Sequence, residues 1–211
     1  MKRLVFTLLI LVFAAGCAPK LTDLSHAKLL VKEYYEKGEY DREMDEIAQK
    51  AIEKLQNEEF GVNSGAFFDV DETALANYPH IKSVDFGSVS KLWDEWVFSA
   101  KAKAIPQVKK IYDFLVSRGV KIYFITGRDA KFYEATRQNL INEGYTKFEA
   151  LICRGAGEKN IDAVTYKSAH RAKITAAGIK IIANVGDQKS DSEGGNSGYI
   201  IRLPNYLYVI D

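Results

Sequence analysis

The residues of this sequence best suited to chemistry are acidic, basic and hydroxyl side chains near the ends of predicted strands. They are Asp69, Asp71, Thr126, Lys167, Asp187 and Asp191, and Gly127, next to Thr126, offers its backbone N–H. Carboxylates gathered at one site repel one another unless a cation holds them, and a ligand set made only of oxygen favours Mg²⁺. A cation, an ammonium group, a hydroxyl and backbone N–H groups together stabilise a phosphoryl group during transfer. These residue types therefore indicate phosphoryl chemistry, in which one carboxylate attacks phosphorus and another moves protons.

Short apolar segments that alternate with helical ones predict the elements that position these residues. Strands are predicted at 66–70, 120–125, 150–152, 179–185 and 198–202. Helices are predicted at 106–118, 130–143 and 165–177, and two more within 21–58, separated at Gly38. This alternation predicts an α/β fold, a Rossmann-like parallel sheet with helices on both faces. Ligands bind beyond the carboxyl ends of such strands, which is where the polar residues lie.

The connection 76–105 is long for a link between a strand and a helix. It predicts a small insert or cap over the edge of the sheet. Both tryptophans lie in it, and we expect Trp96 to pack in the core. Tyr78, Trp93 and Tyr206 are the aromatic candidates for contact with the organic part of a substrate, because aromatic rings stack on aryl groups and nucleobases.

The overall composition is that of an ordinary globular chain. Of 211 residues, 47% are hydrophobic and 27% are charged, with 29 basic against 28 acidic side chains. These values exclude a disordered tail, a collagen-like rod and a polytopic membrane protein. The near-neutral charge also argues against a nucleic-acid polymer as the partner. The two cysteines, Cys17 and Cys153, are too few for a disulfide framework.

The start of the chain has the pattern of an export signal. Two basic residues precede the apolar run 4–15, which is too short to span a bilayer as a helix. Small residues then precede Cys17, which resembles the lipidation site of bacterial lipoproteins, although Ala14 stands where leucine is usual. The predicted division is a signal peptide at 1–16, a lipidated Cys17 with a short tether at 17–22, and one domain at 23–211. We expect an exported chain, lipid-anchored at the outer membrane and facing the periplasm or the cell surface; the alternative is an ordinary cleaved signal.

Four motifs, in this order and spacing, resemble those of the haloacid dehalogenase (HAD) superfamily and, within it, the subclass IIIB acid phosphatases. They are DVDET at 69–73, ITGR at 125–128, YKSAHR at 166–171 and GDQKSD at 186–191. Lys167 precedes Asp187 by 20 positions, as in the class C lipoprotein acid phosphatases. The segment RLPNY at 202–206 resembles the ending of plant vegetative storage proteins, with Tyr206 where those have proline.

This resemblance implies catalytic roles for the first three motifs. Asp69 would attack phosphorus and also bind Mg²⁺. Asp71 would be the general acid and base, and its backbone carbonyl would bind Mg²⁺. The phosphoryl oxygens would be held by Thr126, Gly127 and Lys167.

The resemblance also implies the rest of the metal site. Asp187 would bind Mg²⁺ directly, and Asp191 would bind it through water or brace the other ligands. Glu72 and Thr73 would shape the loop without reacting.

We therefore expect a Mg²⁺-dependent acid phosphatase that hydrolyses small phosphomonoesters outside the cytoplasm, with nucleoside monophosphates among the candidate substrates. A phosphotransferase on the same scaffold is one alternative, since an alcohol can replace water as the acceptor. A non-catalytic surface or storage lipoprotein is another. Phosphate release from a simple ester distinguishes the enzyme from the non-catalytic protein.

Overall fold

A computed structural model describes residues 22–210 of the chain. Its α-helices are α1 (Leu24–Glu36), α2 (Glu39–Gln56), α3 (Tyr78–Ser83), α4 (Ser90–Phe98), α5 (Pro106–Ser117), α6 (Tyr133–Asn142) and α7 (Ala163–Ala176). Its strands are β1 (Ser64–Phe68), β2 (Leu75–Ala76), β3 (Lys103–Ala104), β4 (Lys121–Asp129), β5 (Ala150–Arg154), β6 (Lys180–Gly186) and β7 (Tyr199–Arg202). Each strand and helix predicted from the sequence is present, with boundaries shifted by a few residues.

Five of these strands form one parallel sheet in the order β5-β4-β1-β6-β7, flanked by helices, which confirms the predicted fold class. Strand β1 is central, and all five of its residues are buried. Its pairing with β4 and β6 brings the carboxyl ends of three strands together, because parallel neighbours run in the same direction. The residues that follow β1, β4 and β6 therefore meet at one edge of the sheet.

Strand β4 differs from its predicted boundaries. The sequence predicts that the strand ends at residue 125, before Thr126, whereas β4 continues to Asp129. Its pairing with β5 is irregular between Ile125 and Asp129, where the register shifts before Asp129 pairs with Arg154. The site residues Thr126 and Gly127 thus lie within this irregular end of the strand. A polar residue followed by glycine is typical of a turn, which is why the sequence predicts that the strand ends before them.

The N-terminal helices pack on the sheet through α2. Gly38, with φ of 84°, separates α1 from α2 in a backbone conformation that suits glycine. Helix α2 buries Met44, Ala48, Ala51 and Leu55 in the main core. Helix α1 has no fully buried residue and is held by aromatic contacts, since Tyr35 stacks between Tyr40 and Tyr78 at centroid distances of 4.7 and 4.8 Å.

The predicted insert consists of two helices closed by a small sheet. Helices α3 and α4 lie between β2 and β3, which pair antiparallel. Trp96 of α4 is half-buried and packs against the main core, as expected, and its Nε1 donates to Oδ1 of Asn77 at 2.8 Å. This bond ties α4 to the residue that precedes α3.

The predicted signal peptide and Cys17 lie outside the residues that the structure describes. Within residues 22–210, no helix combines the length and the apolar character that crossing a membrane requires.

Candidate active site

The acidic loop after β1 is held in place by backbone bonds and by buried side chains. The Asp69 N–H donates to the carbonyl of Val185 in β6 at 3.0 Å, so the loop starts against the neighbouring strand. The Thr73 hydroxyl donates to Oδ1 of Asp187 at 3.0 Å. Glu72 is buried with a φ of 52°, and its carboxylate accepts from the Asn77 N–H at 2.7 Å. Through these contacts Glu72 and Thr73 hold the loop in place.

Lys167 joins the predicted nucleophile Asp69 to the predicted metal-site residue Asp191. Its Nζ lies 2.6 Å from Oδ1 of Asp69 and 2.5 Å from Oδ1 of Asp191, and all three side chains are buried. Burial disfavours the charged form of Lys167, but the two carboxylates outweigh burial and hold its pKa above the usual value. Burial raises the pKa of Asp69, an effect that Lys167 opposes. The single ammonium thus compensates part of the acidic charge.

Three carboxylates converge closely enough to bind a metal ion together. Asp69, Asp187 and Asp191 each offer one oxygen atom, and these atoms lie within 4.8 Å of one another. Burial, followed by repulsion from Asp191, raises the pKa of Asp187 to about 6. Because Lys167 neutralises one of the three negative charges, the group keeps an excess that a divalent cation would balance. A buried, all-oxygen donor set of this kind fits a hard cation.

The carboxylate of Asp71 is paired with an arginine that the sequence reasoning did not assign to the site. Arg128 donates from Nε to both Asp71 oxygens at 3.0 and 3.1 Å, and from Nη2 to Oδ1 at 2.6 Å. The Thr126 hydroxyl is 3.4 Å from Oδ2 of Asp71 and also accepts from the Arg128 N–H at 3.1 Å. Arg128 is the last residue of the ITGR motif, and its position just after the predicted strand 120–125 was the available signal.

Most of the predicted site residues line a cavity of about 670 Å³. Its polar part contains Asp69, Asp71, Gly127, Arg128, Lys167 and Asp187. Two other predicted residues, Thr126 and Asp191, lie beneath this surface, where both are almost completely buried. A phosphoryl group placed in the cavity would thus meet the Gly127 backbone and Lys167. Thr126 and Asp191 would instead support the residues that line the cavity, Thr126 through Arg128 and Asp191 through Lys167.

The chain after β7 forms another part of the cavity wall. Leu207, Tyr208, Val209 and Ile210 line it. Nδ2 of Asn205 donates to Oδ2 of Asp187 at 2.7 Å, and the Tyr208 hydroxyl donates to Oε2 of Glu72 at 2.5 Å. Asn205 and Tyr208 were not among the predicted site residues, and the resemblance of the segment 202–206 was the signal that pointed to this part of the chain.

Of the three aromatic residues predicted to contact substrate, the structure brings one to the cavity. Trp93 lines it, and the guanidinium of Arg128 lies 5.6 Å from the Trp93 ring centroid. Tyr78 is not among the lining residues; it stacks on Tyr35, and its hydroxyl donates to Glu36. Tyr206 packs edge-on against Tyr34 at a centroid distance of 4.9 Å. Both tyrosines thus pack against aromatic residues of α1, Tyr35 and Tyr34, instead of lining the cavity.

The sequence matches known proteins over nearly its whole length. The family model described as HAD superfamily, subfamily IIIB (acid phosphatase), matches residues 21–211. The chain is 33% identical to acid phosphatase 1 of Solanum lycopersicum, over 85% of this chain and 73% of that protein. It is 36% identical to the stem 28 kDa glycoprotein of Glycine max, with the same two coverages.

A solved structure has the same fold. The class C acid phosphatase from Bacillus anthracis with tungstate bound superposes with a TM-score of 0.71 at 23% identity, covering 88% of this chain and 86% of that one. Together with the match over residues 21–211 and the arrangement of the acidic, basic and hydroxyl groups, this likeness places the protein: the chain belongs to subfamily IIIB of the HAD superfamily, the acid phosphatases.

Proposed function

We propose that the protein is a Mg²⁺-dependent phosphatase that hydrolyses small phosphomonoesters through a phosphorylated Asp69, with nucleoside monophosphates among its substrates. The observation that carries the proposal is the position of Asp69. It lies in the cavity with Asp71, and Lys167 bonds to one of its two oxygens, Oδ1. No hydrogen bond within residues 22–210 engages Oδ2 of Asp69, which is therefore available for reaction.

In the first step, a carboxylate oxygen of Asp69 attacks phosphorus, and the bond from phosphorus to the leaving oxygen breaks. Asp71 gives a proton to that oxygen, so that a neutral alcohol departs. Lys167 and the Gly127 N–H hold the phosphoryl oxygens, and Arg128 keeps the Asp71 carboxyl group in place. The product of this step is an acyl phosphate on Asp69.

In the second step, water attacks the phosphorus of that acyl phosphate. Asp71 takes a proton from the water, the bond between phosphorus and Asp69 breaks, and phosphate leaves. A divalent cation bound by Asp69, Asp187, Asp191 and the Asp71 carbonyl would supply charge stabilisation for the phosphoryl oxygens. The cycle returns both aspartates to their starting protonation states.

The test is phosphate release from p-nitrophenyl phosphate by the purified protein. We expect release with Mg²⁺, loss of release with EDTA, and recovery when Mg²⁺ is restored. Asp69→Asn should abolish release, whereas the matched control Asp113→Asn, an exposed carboxyl on α5, should not affect it. Acid quenching during turnover of a ³²P-labelled substrate should trap label on the wild type. Wild-type activity in Asp69→Asn would refute the proposed nucleophile.

The same assay separates the alternative activities. Release of alcohol in excess over phosphate, in the presence of glycerol as an acceptor, would identify a phosphotransferase. Absence of both products would support a non-catalytic protein.

We further propose that the chain acts outside the cytoplasm, tethered by lipid at Cys17 and facing the periplasm or the cell surface. The support is the sequence pattern at 1–17 alone. Metabolic labelling of the full chain with radioactive palmitate should label the wild type and spare Cys17→Ser. Equal labelling of Cys153→Ser and the wild type would serve as the control, and labelling of Cys17→Ser would refute the anchor.

A further inference from the structure

The cavity contains a histidine that takes part in neither step of the proposed mechanism. His80 lies on α3 in the insert, has 9% of its surface exposed, and lines the same cavity as Asp69 and Asp71. Its ring is stacked on Trp96, with centroids 5.7 Å apart and planes at 19°, and is tilted against Trp93 at 5.6 Å. The indoles thus hold the imidazole in one orientation beside the catalytic loop.

The ring nitrogens of this imidazole are not satisfied by the part of the chain that the structure describes. Neither ring nitrogen of His80 has a hydrogen-bond partner among residues 22–210. Among residues 22–210 the Tyr35 hydroxyl is fully enclosed without a partner, whereas the His80 nitrogens are not fully enclosed, and His80 lines the cavity. Burial lowers the pKa of His80, which favours the neutral ring. A neutral imidazole presents one donor and one acceptor, and the cavity is the place where their partners can come from.

A hydrogen-bond network fixes the position of His80 relative to the reacting groups. Asn77, which precedes α3, donates from Nδ2 to Oδ1 of Asp71 at 2.8 Å. Its backbone N–H donates to Glu72, and its Oδ1 accepts from Nε1 of Trp96. The residue that precedes α3 and the indole that stacks on His80 are therefore both anchored to the acidic loop. The distance between the imidazole and the phosphoryl position is consequently set by the fold.

The surroundings of His80 indicate which part of a substrate it meets. Most of the cavity lining supplied by the insert is apolar, with Ile81, Phe86, Val89 and Trp93. The charged groups lie on the side of the sheet. A bound phosphomonoester would place its phosphoryl group among those charges and its organic group against the insert, next to His80.

We propose that His80 is a specificity-determining residue that forms a hydrogen bond with the organic leaving group of the substrate. The enzyme then prefers phosphomonoesters whose leaving group carries a hydroxyl or a ring nitrogen over those with a purely hydrocarbon one. The physical reason is that a hydrocarbon group displaces water from the imidazole without replacing its hydrogen bonds. This inference rests on the proposed phosphatase function.

The test compares matched aryl phosphates that differ in one polar group. The hydrocarbon member is 2-naphthyl phosphate, and the polar members are monophosphates of quinolinols and of dihydroxynaphthalenes. We expect the wild type to favour at least one polar member by roughly tenfold in kcat/KM, about the worth of one hydrogen bond. His80→Phe should bring this ratio close to one, and His80→Asn should retain part of it. His26→Phe, an exposed histidine on α1, should leave the ratio as in the wild type.

Equal ratios in the wild type and both His80 variants would overturn the inference. A wild type that favours no polar member would also overturn it. Melting temperatures of the variants show whether each is folded. If His80→Phe does not fold, the ratio of kcat/KM values in His80→Asn decides whether the inference holds.

A binding experiment makes the inference independent of turnover. Calorimetric titration of Asp69→Asn with the free quinolinols and 2-naphthol should show the same preference, and the additional change His80→Phe should remove it. If no ester were hydrolysed, the proposed function would fail while this titration still decided the role of His80. An Asp69→Asn protein that bound all these alcohols equally would refute it.

Discussion

Arg128 holds the Asp71 carboxylate through three hydrogen bonds, of which the shortest is 2.6 Å, although the two residues lie 57 positions apart. The side chain of Arg128 is almost fully buried, and its Nη1 also donates to the Thr136 hydroxyl at 3.0 Å. The guanidinium is thereby fixed on both sides. The orientation of the proposed acid and base is thus set in large part by a residue on β4, outside the loop that carries Asp71.

Arg128→Lys should lower kcat/KM by at least about tenfold, because lysine keeps the charge but cannot form the planar contact with both oxygens of Asp71. Arg137→Lys, an exposed arginine on α6, is the matched control. Steady-state kinetics with p-nitrophenyl phosphate measures both. An Arg128→Lys variant with wild-type kcat/KM would show that the ion pair does not position Asp71.

Lys167→Ala should destabilise the protein and increase its response to Mg²⁺. Removing the ammonium leaves buried carboxylates unpaired, at a cost of about 3 kcal/mol, or roughly 6–12 °C in Tm for a chain of this size. Added cation then binds more tightly, since it no longer competes with Lys167, and restores more of the stability.

Thermal unfolding with EDTA and with Mg²⁺ measures this coupling. Lys173→Ala, an exposed lysine on the same helix, should behave as the wild type does. A Mg²⁺-induced rise in Tm that is no larger in Lys167→Ala than in the wild type would contradict the expectation.

Asn205→Ala should weaken Mg²⁺ binding by about ten- to hundredfold, because the amide orients the proposed ligand Asp187 from behind. The variant should need more Mg²⁺ for half-maximal activity and for a given rise in Tm. Asn142→Ala, at the exposed end of α6, is the control. Unchanged Mg²⁺ dependence in both measurements would show that Asn205 has no such role.

Gly186→Ala should displace Asp191 and reduce both activity and stability. A Cβ at Gly186 would overlap with the side chain of Asp191, including its Cβ. Asp191 has little room to move, because its Oδ2 accepts from the Gln188 N–H and its Oδ1 contacts Lys167. Gly61→Ala, where a Cβ meets no atom within 4 Å, is the comparison. Equal Tm and kcat for the two variants would be evidence against this packing.

Trp93→Leu and Tyr78→Leu should have different effects, since Trp93 lines the cavity and Tyr78 stacks on Tyr35. For Trp93→Leu we expect KM for an aryl phosphate to rise about two- to tenfold through lost ring contact. For Tyr78→Leu we expect a loss of about 1 kcal/mol of stability, or roughly 2–4 °C in Tm. Kinetics and thermal unfolding of both variants decide the assignment, and a larger rise in KM for Tyr78→Leu would reverse it.

Much of the fold was predictable because its signals are local. The apolar runs that became β1 and β6, and the glycine that separates α1 from α2, have their effect within a few residues. The acidic motif after β1 was informative for the same reason. The end of β4 was harder to predict. The strand continues through a register shift and so contains polar residues such as Thr126, which by themselves indicate the end of a strand.

By itself, the sequence determined which chemical groups are available and at which strand ends they stand, through periodicity and motif spacing. Only the tertiary structure decided which groups meet, such as Asp71 with Arg128 and Asp187 with Asn205. It also placed His80 in the wall of the cavity. It also turned Tyr78 and Tyr206 towards α1. The physical reason is that these contacts join residues distant in the chain, so they depend on strand order and on competition among buried polar groups for partners, neither of which leaves a local pattern.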